Sequence, residues 1–417
     1  MKRSLLTGFL LLQLVASGLY CQTYTGDIDL YINAYIDDLP GSNGNDYTQP
    51  DTSDLRIWQE IIMHLLYDEL AEARGKADPL NYRIVEFEDN SVSPHALYYV
   101  VEEKTERVNH WGTYIINRTP RRDQLIIQSP HPLYDTNTGK QGIFCFKRLG
   151  AKAFFISGTH RCNHSSFSTC SGTTTACSTS ATPYRISDPP HNVLSIFQKT
   201  TEVLYNALDN TVFVQLHGFA RQTDDPYVIM SNGTRVTPSP DYIAILKDEL
   251  YNTDNSLTFK IAHIDLSWSR LIAFTNVQGR FINNSISPCT VDATNCTGRF
   301  IHIEQEKSKL RQDFIGWLKM YEALSYTFPE NSTFVGNPVE TSTEPVLIYP
   351  NPSEGFLTVE TSSPFTVSIY NASGRCIYQR FCDSDKAEID LSLHPPGLYL
   401  VRVENETGIS TQRFILK

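Results

Sequence analysis

Basic residues are in short supply. The chain carries 35 Lys and Arg against 46 Asp and Glu, a formal net charge of −11 over 417 residues. A phosphate-backbone ligand needs clustered cations, so no nucleic-acid partner is expected. Beyond residue 21 no apolar run approaches the ~20 residues that span a bilayer, so no transmembrane segment is expected either. Heptads and a Gly-X-Y period are absent, which excludes coiled-coil and collagen-like chains. Cysteine never occurs as C-x-x-C, which argues against a zinc ribbon. No G-x-S-x-G elbow, P-loop or G-x-G-x-x-G turn occurs, so serine-hydrolase and nucleotide-binding readings lack support. Apolar residues, by contrast, are plentiful: 41% of positions are hydrophobic and 11% aromatic. That is enough to bury the cores of two or three domains.

The N-terminus has the form of an export leader. Lys2 and Arg3 precede an almost wholly apolar stretch from Leu5 to Val15, followed by the small residues Ala16, Ser17 and Gly18. Residues 1–21 are therefore expected to be a signal peptide, with cleavage after Gly18 or Cys21 both compatible. No lipid anchor is expected at Cys21. Removing Lys2 and Arg3 leaves 33 basic against 46 acidic residues, or −13. Eight cysteines remain, and an exported chain can keep disulfides. The expected staples are Cys289–Cys296 and one pair within Cys162, Cys170 and Cys177. Cys376 and Cys382 fall on one expected strand, about 20 Å apart when extended, too far to bridge.

Residues 346–417 form a separate unit after a Thr/Ser/Glu/Pro-rich linker at 336–345. Short alternating runs such as Leu347-Ile348-Tyr349, Phe356–Val359, Val367–Tyr370 and Leu398–Val403 are separated by Gly, Pro and Asn turns. That pattern predicts a small immunoglobulin-like β-sandwich. The strings Tyr349-Pro350-Asn351-Pro352, Gly397-Leu398-Tyr399 and the terminal Lys417 closely resemble the C-terminal sorting domain of bacterial type IX secretion. The resemblance implies type IX secretion machinery as partner, and a secreted or cell-surface destination. The tail carries no catalytic cluster, so chemistry is expected within residues 22–335.

In that region helical and strand patterns alternate. Leu55 to Ala73 is expected to be one amphipathic helix, and residues 191–208 another, started by Asp188-Pro189-Pro190. Strand-like runs occur at Tyr82–Phe87, Ala96–Val101, Gly112–Ile116, Leu125–Gln128, Ala153–Ile156, Val212–Leu216 and Phe300–Ile303. The expected fold is an α/β three-layer sandwich with a largely parallel central sheet. His131, His160, His217 and Glu304 each follow an expected strand, at the edge where open α/β sheets bind ligands. Taken together they favour a metal. His131, Asp135 and His217 supply two imidazoles and a carboxylate, which leave one position open on a catalytic zinc. Glu304 is the candidate proton acceptor, sharing a strand face with His302. Arg280 and Arg161 are candidates for holding negative charge, with His160, Asn276 and Asn283 as further substrate-binding candidates.

These residues are similar in order to the zinc-dependent exopeptidase-like superfamily. It comprises metallocarboxypeptidases, N-formylglutamate amidohydrolases and N-acetylmuramoyl amidases. Ser129-Pro130-His131 resembles the first-ligand motif of the N-formylglutamate enzymes, Phe213–Gly218 their strand-borne second His, and Thr159-His160-Arg161 a carboxylate-binding Arg position. The chain departs from the carboxypeptidase His-x-x-Glu, because Asp135 follows His131 by four residues. This leaves His160 or Glu202 as alternative third ligands. The expectation is a zinc-dependent hydrolase of amide bonds acting on a peptide or N-acyl amino acid. The alternative is a catalytically degenerate surface binding or adhesion protein on the same scaffold.

Overall fold

The computed structural model describes residues 23–331, 346–371, 376–405 and 408–417. The leader at 1–21 and the linker at 336–345 lie outside the described residues. The first unit runs β1 (Thr23–Gly26), α1 (Ile28–Asp37), α2 (Thr52–Leu66), α3 (Leu70–Ala77), β2 (Tyr82–Asp89), β3 (Ala96–Glu103), β4 (Thr113–Asn117), β5 (Arg122–Ser129), α4 (Thr138–Leu149) and β6 (Ala151–Ile156). It continues through a small hairpin, β7 (Thr173–Thr174) and β8 (Thr182–Pro183), then α5 (Ile196–Ala207), β9 (Val212–Phe219), β10 (Val228–Ser231), α6 (Tyr242–Thr253), β11 (Phe259–Ile261), α7 (Val277–Ile282), β12 (Phe300–Glu306) and α8 (Phe314–Thr327). No helix among the described residues is long and apolar enough to cross a membrane.

Ten of these strands form one mixed sheet in the order β1-β2-β3-β4-β6-β5-β9-β12-β10-β11. The expected parallel character holds at the edge pairs β1-β2 and β10-β11 and at the centre of the sheet. At the centre β6, β5, β9 and β12 run parallel to one another, while β2-β3, β3-β4, β4-β6 and β10-β12 are antiparallel. The sequence hides this because β3 and β4 carry near-continuous apolar runs, which read like buried parallel strands.

Both faces of the sheet are covered. Alternation along each strand sends Leu125, Ile127, Val214, Leu216, Ile301 and Ile303 into a core with α1, α4, α6 and α8. It sends Ile126, Phe213 and Phe300 into a second core with α2, α3, α5 and α7. By the same period of two, Gln128, Gln215, His217, His302 and Glu304 belong to the α5/α7 face.

Two helices differ from expectation. The 55–73 helix breaks at Asp68, whose φ of 61° is left-handed, and becomes α2 and α3. Helix α2 starts earlier than expected, through an Asp51–Asp54 capping box with both bonds at 2.9 Å. The 191–208 helix starts later, at Ser195, whose hydroxyl accepts from the Gln198 amide at 3.1 Å. Pro189–His191 is instead a separate short turn, so Asp188 does not cap a long helix.

The tail forms a three-stranded sheet, β13 (Leu347–Tyr349), β14 (Phe356–Glu360) and β17 (Lys386–Asp390). A four-stranded sheet joins β15 (Phe365–Tyr370), β16 (Cys376–Cys382), β18 (Gly397–Asn405) and β19 (Gly408–Leu416). Leu357, Val359, Val367, Ile369, Val401 and Phe414 fill one apolar core of this unit.

The cysteine expectations are corrected in part. Cys162 pairs with Cys177, inside the expected loop, but Cys289 pairs with Cys170 across 119 residues, and Cys296 stays free. The long-range pair joins two loops that proximity in sequence could not connect. Cys376 and Cys382 are unpaired at the two ends of β16. Cys289→Ser is expected to lower unfolding free energy by about 2–5 kcal/mol. Cys296→Ser is expected to change it by less than about 1 kcal/mol. Denaturant titration of the two variants under oxidising conditions checks this pairing.

Candidate metal centre

Four parallel strands deliver the site. Strand β5 ends at Ser129, and the turn to α4 presents His131 and Asp135; the Asp135 amide donates to the His131 carbonyl at 3.0 Å, so one helical turn separates the two side chains. His217 projects from β9, and Glu304 lies beside it in register on β12. Strand β6 leads into the loop that carries His160 and Arg161.

His131, Asp135 and His217 converge. Asp135 Oδ2 lies 3.2 Å from His131 Nδ1 and 3.2 Å from His217 Nδ1. All three ligand atoms fall within 4.8 Å of one another, and the three residues are buried. A tetrahedral ion with bonds near 2.0–2.1 Å sets its ligand atoms about 3.3 Å apart, so the donor set and its spacing fit a divalent cation. His160 is not a member of this group. Its Nδ1 accepts from the Cys162 amide at 3.0 Å. Glu202 is excluded as third ligand because it lies on α5, paired with Lys199 and Gln198.

The outer nitrogens of both imidazoles are anchored. His131 Nε2 lies 2.8 Å from Asp188 Oδ1, and His217 Nε2 lies 2.8 Å from Gln215 Oε1. Such outer acceptors fix the ring and its tautomer and direct Nδ1 toward the shared carboxylate. Asp188 is in turn gripped by Arg161, whose Nε and Nη2 donate to Oδ2 at 3.1 and 2.5 Å. Gln215 is held by Gln128 at 2.9 Å, Gln278 at 3.2 Å and Asn276 at 2.5 Å.

Electrostatics follow from this packing. Burial by itself favours neutral His131, and Arg161 adds to that, yet the carboxylates of Asp188 and Asp135 outweigh both and raise its pKa. Burial pushes His217 down to about 4, helped by His302 and His131. Burial also pushes His191 down to about 3, against the pull of Asp188. Asp135 resists the burial that would raise it, because His131 and His217 hold it well below the usual carboxylate range. Asp188 is likewise held low against burial, by Arg161 first and then His191 and His131.

The remaining candidates separate. Glu304 reaches the site: it is buried, its Oε1 lies 3.3 Å from His302 Nε2, and the His302 ring centroid is 4.3 Å from that of His217. Arg161 reaches it through Asp188, while Nη1 has no hydrogen bond among the described residues, and Tyr134 lies over the guanidinium at 5.3 Å. Asn276 caps α7 and supports Gln215. Arg280 is committed elsewhere. It donates to Phe274 O at 2.7 Å, Ser171 Oγ at 3.0 Å, Cys289 O at 3.1 Å and Pro288 O at 3.3 Å, and pairs with Asp292. Asn283 is also committed, to Asn232 O at 2.7 Å and the Thr297 amide at 3.0 Å. Gly218 admits Arg311: a Cβ there would stand 2.3 Å from Arg311 Nε.

Sequence reasoning missed Asp188 and Gln215. Gln215 had a signal, a polar side chain inside the apolar run Val212–Leu216. Asp188 had none beyond its position before two prolines.

Comparison with known proteins bears on the tail. The model of the secretion system C-terminal sorting domain matches residues 347–417. Among solved structures, a DUF3244 family protein with an immunoglobulin-like β-sandwich fold from Bacteroides vulgatus is 20% identical, over 18% of this chain and 84% of that chain, at TM-score 0.16. PorZ of Porphyromonas gingivalis, described as an essential bacterial surface component of the type IX secretion system, is 22% identical over 20% of this chain, at TM-score 0.16. The chain spans only 12% of that PorZ chain. No curated protein matches the sequence.

Two predictions follow from the site. Asp188→Ala leaves Arg161 buried without its carboxylate and is expected to lower stability by about 3–5 kcal/mol, measured by denaturant unfolding. The second concerns the metal-free chain. His217 and His191 have folded pKa values depressed below about 6.5, so on acidification the unfolded state takes up protons first. Stability is therefore expected to fall as pH drops from about 6.5 toward 4, and His191→Gln is expected to flatten that slope.

The sorting-domain match and the two-sheet tail together identify residues 347–417 as a type IX secretion sorting domain, and the chain as a secreted or cell-surface protein.

Proposed function

We propose that the α/β unit, read as a three-layer sandwich, is a zinc-dependent hydrolase of amide bonds that works at the cell surface or after release. The observation that carries the reading is the buried convergence of His131, Asp135 and His217 with Nδ1 and Oδ2 atoms facing one another. Two imidazoles and one carboxylate are a catalytic rather than structural zinc set, because they leave a coordination position open. A zinc ion held there would acidify a bound water and polarise a carbonyl.

The chain's own residues supply the rest. Asp188 and Gln215 fix the two imidazoles through their outer nitrogens. Glu304, buried beside His217 with its Oε2 lacking a hydrogen-bond partner, takes the proton of the attacking water and returns it to the departing amine. Arg161 keeps Nη1 for a substrate carboxylate, which suits a peptide C-terminus or an N-acyl amino acid. The commitments of Arg280 and Asn283 favour a structural role for both.

The test combines metal analysis with turnover. The purified chain is expected to carry about one zinc, and Glu304→Gln is expected to keep it. The variant should lose about 10²–10⁴-fold in kcat on a panel of N-acyl amino acids and dipeptides. Zinc retained by a wild-type chain that cleaves nothing in the panel would favour the surface binding protein. Absence of zinc after zinc-replete purification would remove the metal reading.

A further inference from the structure

The proposed chemistry needs a donor for the negative charge that develops on the carbonyl oxygen, and the nearby arginines are engaged elsewhere, the one free nitrogen of Arg161 being assigned above to a substrate carboxylate. Arg280 serves the Cys289 loop. Arg311 donates to Gln305 O at 2.9 Å, Thr136 O at 2.7 Å and Phe219 O at 3.2 Å. Arg161 directs two of its three nitrogens at Asp188.

His302 stands apart. It is 5% exposed, and neither ring nitrogen has a hydrogen-bond partner. Nε2 lies 3.3 Å from Glu304 Oε1 but makes no hydrogen bond to it. The ring packs on His217, centroid to centroid at 4.3 Å with a 37° tilt. Glu304 Oε2 beside it is also unpartnered. A buried imidazole without partners is uncommon in a folded chain, since such groups are nearly always hydrogen-bonded. Neutral imidazole carries one N–H and one lone pair. His302 and Glu304 Oε2 together therefore present a donor and an acceptor side by side on the α5/α7 face. An amide group complements that pair, with its oxygen as acceptor and its N–H as donor.

We propose that His302 is the oxyanion donor of the site, an inference that rests on the hydrolase reading above. Water adds to the amide carbon through oxygen, its proton passes to Glu304, and the carbonyl π pair moves onto oxygen, where the His302 N–H meets it. The C–N bond then breaks, and the proton on Glu304 passes to the leaving nitrogen, giving acid and amine. His302 donates a hydrogen bond throughout and transfers no proton.

The experiment uses the zinc-loaded full chain, His302→Ala and His302→Gln, with zinc content and thermal unfolding measured for each. Acetohydroxamate, a small zinc-binding anion, is titrated by calorimetry as a readout independent of turnover. His302→Ala is expected to keep zinc, weaken acetohydroxamate at least about tenfold, and lower kcat on the N-acyl panel about 10²–10³-fold with KM little changed. His302→Gln, which retains an N–H donor, is expected to recover at least about tenfold of that loss. Unchanged hydroxamate affinity and kcat in His302→Ala would overturn the donor role while leaving the hydrolase reading intact. Loss of zinc from both variants would overturn it in favour of a support for His217. A zinc-loaded wild type that neither binds acetohydroxamate nor cleaves the panel would overturn the hydrolase reading and the donor role together.

Discussion

The imidazole of His131 sits between two buried carboxylates, Asp135 on Nδ1 and Asp188 on Nε2. Placing two carboxylates away from water is costly unless each is neutralised and hydrogen-bonded. Arg161 balances Asp188 through two donors on one oxygen. Among the described residues Asp135 has no arginine or lysine in ion-pair contact, and it depends on His131 and His217. The arrangement thus holds an anion among imidazole nitrogens, the environment that accepts a divalent cation. Rings, outer acceptors and the glutamine network under Gln215 all serve to keep those nitrogens aimed at one oxygen.

The sheet explains why such distant residues meet. Its centre is parallel, and the parallel strands β6, β5, β9 and β12, with the loops that follow β5 and β6, bear Arg161, His131, His217 and Glu304. The antiparallel β2, β3 and β4 extend the sheet and its cores without contributing a ligand. Around the rim, the Cys162–Cys177 loop begins next to Arg161, and Cys170–Cys289 ties that loop to the segment gripped by Arg280. Arg280 therefore reads as part of the frame, while Arg161 reads as part of the centre.

Much of this was legible in the sequence. Apolar runs located β5, β9 and β12, and with them His131, His217 and Glu304, although β9 and β12 run on to Phe219 and Glu306, so that His217 and Glu304 lie inside their strands rather than after them. Asp135 was visible from its spacing to His131. Most strands of the tail were legible, since its turn residues and alternation are local, but β17 was not among the runs read. What escaped depended on long-range contact. Asp188 looked like a helix start, and only the folded loop turns it toward His131. Arg280 and Asn283 looked like site residues because charge and polarity in a loop carry no direction until their partners are known. Cys170–Cys289 joins loops 119 residues apart, beyond any spacing rule.

The export address and the buried polar centre occupy separate parts of the chain, the first in residues 347–417 and the second in the α/β unit. X-ray absorption on the zinc-loaded chain tests that centre most directly. The account predicts a first shell of nitrogen and oxygen at about 2.0–2.1 Å with scattering from two imidazoles, reduced to one in His217→Ala. A shell without imidazole scattering, or one unchanged by His217→Ala, would contradict it.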